Sequence, residues 1–246
     1  MRVLILGGLD PSGRAGILAD VETVRQMGGQ ACAVATSLTA QGKQTFAALP
    51  VSAKIIRQQI DAILELGEID AVKLGMIPSR LLLNEIVLGL NSVKAPWIID
   101  PVILSSKGEK LSTLRPDDFI RLGHSSRTIT PNLEELGWLT GTPTGLKGSP
   151  VQRHSAEMLL DHGFGAVVVK GGHPPEKASD ELYLPGHLQV FSSPKLPRSA
   201  QVRGTGCRFA SALAVRLGEK KTHPIAVRDA KAYVRRYIQR AEEVLR

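Results

Sequence analysis

Short apolar runs alternate with segments of helical period along the whole chain, and this alternation limits the possible folds more than any other feature. The apolar runs suit buried strands, and the segments between them repeat their apolar side chains every three or four residues. Such a pattern predicts an α/β fold with a mostly parallel sheet and helices on both faces. We predict strands over residues 2–6, 31–36, 71–74, 96–100 and 166–170, a strand that ends at 128–129, and helices over 16–26, 52–66, 79–90, 117–122, 151–160, 204–217 and 225–245, with one more helix after residue 132.

The pattern changes where two short apolar runs flank Pro185 and Gly186. A Pro-Gly pair between two strands is typical of a turn, so residues 182–184 and 188–191 are predicted to form an antiparallel hairpin at one edge of the sheet. No repeat, low-complexity tract or linker interrupts the chain, and 246 residues can bury one large core. Residues 1–246 are therefore predicted to form a single three-layer α/β/α domain, with residues 145–150 as an internal loop.

Composition excludes several classes of protein. The net charge of +8 favours anionic partners, but aromatic residues make up only 4% and no nucleic-acid-binding motif is present, so small phosphorylated molecules are favoured over nucleic acid. No apolar run is long enough to span a membrane or to form a signal peptide. The two cysteines, Cys32 and Cys207, cannot form a disulfide framework, so a cytoplasmic location is expected.

Four loops of small and polar residues directly follow predicted strands. Since ligands of such sheets bind beyond the carboxyl ends of the strands, these loops predict a binding site. The first loop lacks both the Gly-Lys-Ser/Thr ending of a P-loop and the glycine spacing of a dinucleotide fingerprint, so neither motif is assigned. The loops comprise residues 7–16, 100–102, 130–132 and 170–173.

Gly204, Thr205, Gly206 and Cys207 open a helix of small and apolar residues. The glycines leave backbone N–H groups free to converge on an anion. A cysteine in the first turn of a helix lies in a positive field, which predicts a lowered thiol pKa and a role as base or nucleophile. A buried structural cysteine is the alternative. Cys32 lies in an apolar strand and is interpreted as an inert core thiol.

Seven segments, in this order, resemble the ribokinase-like family and, within it, the hydroxymethylpyrimidine/phosphomethylpyrimidine kinases of thiamine biosynthesis. The resemblance extends from residue 2 to about residue 240 and implies a ribokinase-like fold. It also implies a homodimer and an ATP- and Mg²⁺-dependent kinase that phosphorylates 4-amino-5-hydroxymethyl-2-methylpyrimidine, its monophosphate, or both. The segments comprise residues 8–20, 38–41, 73–76, 100–102, 130–135, 170–173 and 204–207.

The same resemblance implies a role for each matching residue. Cys207 would be the base that takes the proton of the acceptor alcohol, and the amides of Gly204, Thr205 and Gly206 would stabilise the transferred phosphoryl group. Gln41 would hydrogen-bond the pyrimidine ring. The remaining matches would line the pyrimidine pocket (Gly8, Asp20, Met76, Val102), hold Mg²⁺ and phosphate, in part through water (Asn132, Glu135), or contact a phosphate (Lys170).

Three arginines depart from the family pattern, which has glycine at Arg14, histidine at Arg203 and threonine at Arg208. Arg208 is assigned to the nucleotide or phosphate site, where it would lower the Cys207 pKa further or fill nucleotide space. The arginines favour the monophosphate as acceptor, or else they mark a catalytically diverged ligand-binding homologue. A pyridoxal-type kinase is the alternative on the same fold, because pyridoxal is also a small aromatic ring with a hydroxymethyl group.

Overall fold

Nine strands form one sheet in the part of the chain that the structure describes. The structure is a computed structural model, and it describes residues 1–42, 44–105, 108–143, 148–171, 177–197 and 199–244. The spatial order is β3-β2-β1-β4-β5-β6-β7-β8-β9. The six strands from β2 to β7 in this order are parallel, and β3, β8 and β9 are antiparallel to their neighbours. The strands are β1 (Arg2–Leu9), β2 (Gln30–Gln41), β3 (Phe46–Pro50), β4 (Ala71–Leu74), β5 (Trp97–Ile99), β6 (Arg127–Ile129), β7 (Ala166–Val169), β8 (Lys177–Leu184) and β9 (His187–Pro194).

Helices cover both faces of this sheet and enclose two apolar cores. One core packs α1, α7 and α8 against the sheet, and the other packs the remaining five helices against the opposite face. The predicted α/β/α layering is therefore confirmed. The helices are α1 (Gly16–Gln26), α2 (Ala53–Glu65), α3 (Arg80–Gly89), α4 (Pro116–Ile120), α5 (Leu133–Thr140), α6 (Pro150–Asp161), α7 (Thr205–Gly218) and α8 (His223–Val244), and a 3₁₀ turn spans Ser199–Gln201.

The chain supplies local reasons for these elements. In β1, Val3 and Ile5 face one core while Leu4 and Leu6 face the other, as the period of two along a strand requires. Several helices begin at a serine or asparagine whose side chain accepts a hydrogen bond from a backbone amide two or three residues into the helix, which satisfies one otherwise unpaired donor. These caps are Ser52, Ser79, Asn132 and Ser149.

Several strands differ from their predicted extent. β1 continues through Gly8 to Leu9 instead of ending at the first glycine, and β2 extends to Gln41. Strand β3 was not predicted, because all five of its residues are exposed and carry no buried apolar pattern. The predicted hairpin is confirmed as β8 and β9, which are longer than expected.

Some predictions fall outside the described residues: Gly172 and His173 of the fourth loop, residues 145–147 of the predicted internal loop, and Leu245 of the last helix. None of the helices in the described ranges combines the length and apolar character needed to cross a bilayer.

The strand order creates a crevice at one edge of the sheet. Strand β1 pairs with β2 on one side and with β4 on the other. The chain therefore adds strands first on one side of β1 and later on the opposite side. Beyond the carboxyl ends of strands at such a reversal, loops separate and leave space for a ligand. The predicted functional loops meet at this place.

Candidate active site

A cavity of about 610 Å³ opens beyond the carboxyl ends of the central strands. Its size is typical of a small-molecule site. The structure brings twelve of the thirteen predicted site residues to its wall, and the exception is Arg208. The twelve are Gly8, Asp20, Gln41, Met76, Val102, Asn132, Glu135, Lys170, Gly204, Thr205, Gly206 and Cys207.

One part of the wall is formed by β1, β2 and the residues after β4. A Cβ atom at Gly8 would lie 2.6 Å from Met76 Sδ and 3.6 Å from Thr39 Cγ2, so glycine is needed for the methionine to pack against the strand. Two residues beyond Thr39, Gln41 donates from Nε2 to Thr39 Oγ1 at 3.2 Å. Flat apolar surface and one amide therefore lie side by side, which suits a small aromatic ring with polar edges.

A second part of the wall is the beginning of α7. Gly204 has φ +75° and caps the helix without a side-chain hydrogen bond, so the first backbone N–H groups remain available to an anion. A Cβ atom at Gly204 would lie 1.9 Å from the backbone oxygen of Arg14, so no other residue fits there without moving the loop after β1. The Lys170 ammonium lies beside this turn, 3.3 Å from the place of a Cβ at Gly206. Amides and a cation together form a cradle for phosphate.

Five buried or partly buried charges of alternating sign connect these two parts; we call them the ionic ladder. Lys73 Nζ lies 2.9 Å from Asp20 and 4.0 Å from Asp100, and Lys170 Nζ lies 2.6 Å from Asp100 and 3.7 Å from Glu135. Burial tends to raise the pKa of Asp100, but Lys170 and Lys73 outweigh it and hold that pKa below its ordinary value. Burial tends to lower the pKa of each lysine, but the neighbouring carboxylates outweigh it, so both pKa values are raised and both lysines stay protonated.

The Cys207 thiol lines the cavity in the first turn of α7, but the predicted lowering of its pKa is wrong. Burial raises the thiol pKa to about 11. Lys73 and the Gly16 amide favour the thiolate, whereas the carboxylates of Asp20 and Asp100 oppose it. The loss of hydration and these two negative charges outweigh the positive field of the helix. The thiol is therefore protonated at neutral pH.

The assignment of Arg208 to the phosphate site is also wrong. Its guanidinium turns away from the cavity, donates to the backbone oxygen of Arg14 at 2.8 Å and to Glu22 at 2.7 Å, and stacks on the ring of Tyr237 at 3.9 Å. A residue one step along a helix from Cys207 points about 100° away from it. Arg208 thus joins α1, α7 and α8 instead of lowering the thiol pKa.

Asn132 and Glu135 form a capping box at the start of α5. Asn132 Oδ1 accepts from the Glu135 amide at 2.8 Å, and Glu135 Oε2 accepts from the Asn132 amide at 2.7 Å. Burial raises the pKa of Glu135, although Lys170 opposes that shift. The pair therefore has a structural role as well as a place on the cavity wall.

The cavity wall also includes residues that were absent from the predicted set of site residues, among them Asp10, Lys73, Asp100 and Arg203. Arg203 donates to Gln41 Oε1 at 2.8 Å, whereas the exposed Arg14 does not line the cavity. A sequence signal existed for Lys73, because a lysine inside an otherwise apolar strand needs a buried partner.

Comparison with known proteins identifies the family. The sequence profile of the family described as phosphomethylpyrimidine kinase matches residues 10–246. The chain belongs to this family. A hydroxymethylpyrimidine/phosphomethylpyrimidine kinase from Rhizobium meliloti (strain 1021) is 32% identical over 246 residues, which cover 98% of this chain and 91% of the relative.

Solved structures agree with membership of the phosphomethylpyrimidine kinase family. The phosphomethylpyrimidine kinase from Clostridium difficile 630 superimposes with a TM-score of 0.79 at 30% identity, covering 97% of this chain and 99% of the other. The pyridoxal kinase from Staphylococcus aureus in complex with ADP superimposes with a TM-score of 0.84 at 25% identity, covering 95% and 86%. This phosphomethylpyrimidine kinase family member is therefore an ATP-dependent kinase with the ribokinase-like fold.

Proposed function

We propose that this chain is a kinase of thiamine biosynthesis and that residues 1–246 act as one kinase domain. The γ-phosphoryl group of ATP is transferred to the 5-hydroxymethyl group of 4-amino-5-hydroxymethyl-2-methylpyrimidine, to the resulting monophosphate, or to both. One observation carries this proposal: a single cavity joins the flat wall around Gly8, Gln41 and Met76 to the amide cradle at the start of α7. An aromatic acceptor and a triphosphate can therefore meet there.

The residues of the flat wall bind and orient the acceptor. Gln41 offers both donor and acceptor atoms to the pyrimidine, while Gly8, Met76 and Val102 enclose the ring. Asp20, whose pKa is raised by burial, also lines the cavity and is held by Lys73 and Ser211. Exclusion of water from this pocket strengthens each polar contact to the ring.

The cradle aligns and stabilises the group in transfer. The amides of Gly204, Thr205 and Gly206 and the Lys170 ammonium face the oxygens of the transferred phosphoryl group, where charge develops. The thiolate form of Cys207 takes the acceptor proton as the new O–P bond forms and the bond to the leaving ADP breaks. Since the thiol pKa is about 11, this step becomes faster as the pH rises.

The residues present fit a magnesium ion held in part through water. Asp100 and Glu135 supply carboxylate oxygens, which Mg²⁺ prefers, and the ionic ladder carries one more carboxylate than ammonium groups. Within the described ranges, no three His, Cys, Asp or Glu residues are grouped as an all-protein metal site. Mg²⁺ usually keeps several waters and binds substrate phosphates, so Asn132, Glu135 and Asp100 would hold it beside the nucleotide. Bound there, the ion would neutralise phosphate charge.

We also propose that the enzyme is a cytoplasmic homodimer. Both cysteines are free, as expected in a reducing compartment. Strand β3 lies at one edge of the sheet with all its residues exposed, and Phe46, Leu49 and the nearby Leu38 present apolar surface. An uncovered edge of this kind pairs readily with another strand. Light scattering of the purified chain tests this proposal, and a monomer at micromolar concentration contradicts it.

A product-mass assay tests the kinase activity. The purified chain is incubated with Mg-ATP and, in parallel, with the hydroxymethylpyrimidine, its monophosphate or pyridoxal. We expect a mass increase of one phosphoryl group on at least one pyrimidine compound. Phosphorylation of pyridoxal alone would overturn the proposed acceptor, and turnover of none of the three would favour a diverged binding protein.

A further inference from the structure

Arg203 joins three parts of the cavity wall. Its Nη2 donates to Gln41 Oε1 at 2.8 Å at the end of β2, and the same atom lies 3.7 Å from Asp10 Oδ2 in the loop after β1. Its own backbone oxygen accepts from the Tyr237 hydroxyl of α8 at 3.2 Å. The side chain is 22% exposed, so the guanidinium is largely shielded from solvent.

The charge of Arg203 is already compensated by Asp10. The Asp10 side chain is 3% exposed, and its Oδ2 atom accepts no hydrogen bond from the described part of the chain. A buried carboxylate oxygen of this kind needs a neighbouring cation. The carboxylate also opposes the approach of a second anion, so this arginine is not built as a phosphate ligand.

The contacts of Gln41 determine the orientation of its side-chain amide. A guanidinium can only donate, so the amide atom beside Arg203 must be the oxygen. At the other side, the Thr39 hydroxyl donates its proton to the Leu9 backbone oxygen at 3.0 Å and can only accept from Gln41. The amide atom beside Thr39 must therefore be the nitrogen. After these bonds, Gln41 retains one donor on Nε2 and one acceptor site on Oε1.

That remaining pair matches one edge of a 4-aminopyrimidine. Ring atom N3 accepts from Nε2, and the adjacent 4-amino group donates to Oε1. The 5-hydroxymethyl group is the next substituent beyond the amino group, on the side of Oε1. Because Oε1 faces Arg203, which directly precedes Gly204, this orientation directs the hydroxymethyl group towards the cradle.

We propose that Arg203 is a positioning residue that fixes the Gln41 amide and thereby selects the orientation in which a 4-aminopyrimidine presents its hydroxymethyl group to residues 204–207. This inference rests on the proposed function and adds a determinant of specificity to it. Pyridoxal has no amino group next to its ring nitrogen, so it cannot make the same pair of hydrogen bonds.

Calorimetric titration with two ligands tests the inference. The ligands are 4-amino-5-hydroxymethyl-2-methylpyrimidine and the same compound without the amino group. Wild-type protein should bind the amino compound about fivefold to tenfold more tightly, as expected for one buried hydrogen bond. R203M removes one of the two contacts that fix the amide, leaving only the Thr39 contact, and should reduce this preference to about twofold or less, with little change in affinity for the analogue. R203K, which retains a donor-only cation, should restore most of the preference.

Matched controls separate this role from general stability. R14M removes the same charge from a side chain outside the cavity and should leave the preference unchanged. An equal loss of affinity for both ligands in R203M would overturn the inference, as would an unchanged preference. If R203M is not folded by circular dichroism, R203Q serves in its place with the same expected loss.

The two proposals can fail separately. If wild-type protein phosphorylates neither pyrimidine in the product-mass assay, the proposed function fails and the inference falls with it. If wild-type protein phosphorylates the amino compound but the preference in R203M or R203Q equals that of wild type, only the role of Arg203 is overturned.

Discussion

Lys73 Nζ donates a hydrogen bond of 2.9 Å to Asp20 Oδ2 at a place where both side chains are closed to solvent. Lys73 belongs to β4, Asp20 belongs to α1, and the other Asp20 oxygen accepts from Ser211 of α7 at 2.8 Å. The pair therefore ties a central strand to two helices while forming part of the cavity wall. Fold stability and the site depend on the same atoms.

K73M should destabilise the fold strongly. The substitution leaves Asp20 buried without its cation, which costs about 3–5 kcal/mol for a buried pair. Denaturant unfolding followed by circular dichroism measures this loss. K94M removes an exposed lysine as a control and should change the free energy of unfolding by about 0.5 kcal/mol or less. A loss in K73M as small as in the control would contradict the structural importance of the ion pair.

C207A should reduce kcat by about 10²- to 10⁴-fold, the usual contribution of a general base, with the affinities for ATP and pyrimidine within about twofold of wild type. Steady-state kinetics and calorimetry measure the two effects. C32A is the matched control, because Cys32 lies in β2 away from the cavity and should be dispensable for turnover. Turnover like that of wild type in C207A would remove the base assignment.

Alkylation of Cys207 should depend steeply on pH. With a thiol pKa of about 11, about one thiol in 10⁴ is ionised at pH 7. In a C32S background, which leaves one cysteine, the rate of reaction with iodoacetamide should rise about tenfold for each pH unit from 7 to 10. Mass spectrometry at timed intervals gives the rate. A plateau below pH 8 would show that the helix field outweighs burial after all.

Q41A should weaken binding of the pyrimidine by about tenfold and leave ATP binding nearly unchanged, because the amide contacts the ring and not the cradle. Calorimetry with each ligand alone separates the effects. A similar loss for both ligands would indicate that Gln41 supports the whole cavity instead of the acceptor pocket.

R208M tests the corrected role of Arg208. The substitution removes two hydrogen bonds and the stacking on Tyr237, so we expect a loss of about 2–4 kcal/mol in unfolding free energy. The KM for ATP should change by less than about twofold. A large rise in that KM with unchanged stability would restore the phosphate assignment.

The parts of the fold that could be predicted are those with strong apolar periodicity. Helix α1 and strand β4 have the predicted bounds, because most of their buried residues are apolar and glycines follow their ends. Strand β3 could not be predicted, since its five residues are exposed and it is held only by pairing with β2. Pairing between distant segments leaves no local pattern in a sequence.

The site can be divided in the same way, into features that motif positions predict and features that depend on the three-dimensional surroundings. Motif positions placed twelve residues on one cavity wall, but the state of Cys207 depended on burial and on carboxylates from α1 and from the loop after β5. The direction of the Arg208 side chain depended on Tyr237, far along the chain. Three-dimensional neighbours decide such properties, and a single sequence does not reveal them.

The ionic ladder has a consequence for how this enzyme can diversify. Its members lie within α1, β4 and α5 and directly after β5 and β7, and most of them are buried, so a change at any of them endangers folding before it alters chemistry. Arg203 and Gln41, by contrast, are partly exposed and lie outside the ladder, at what we call the rim of the cavity. New acceptor preferences should therefore arise at the rim, while the buried charges stay invariant among functional variants selected in the laboratory.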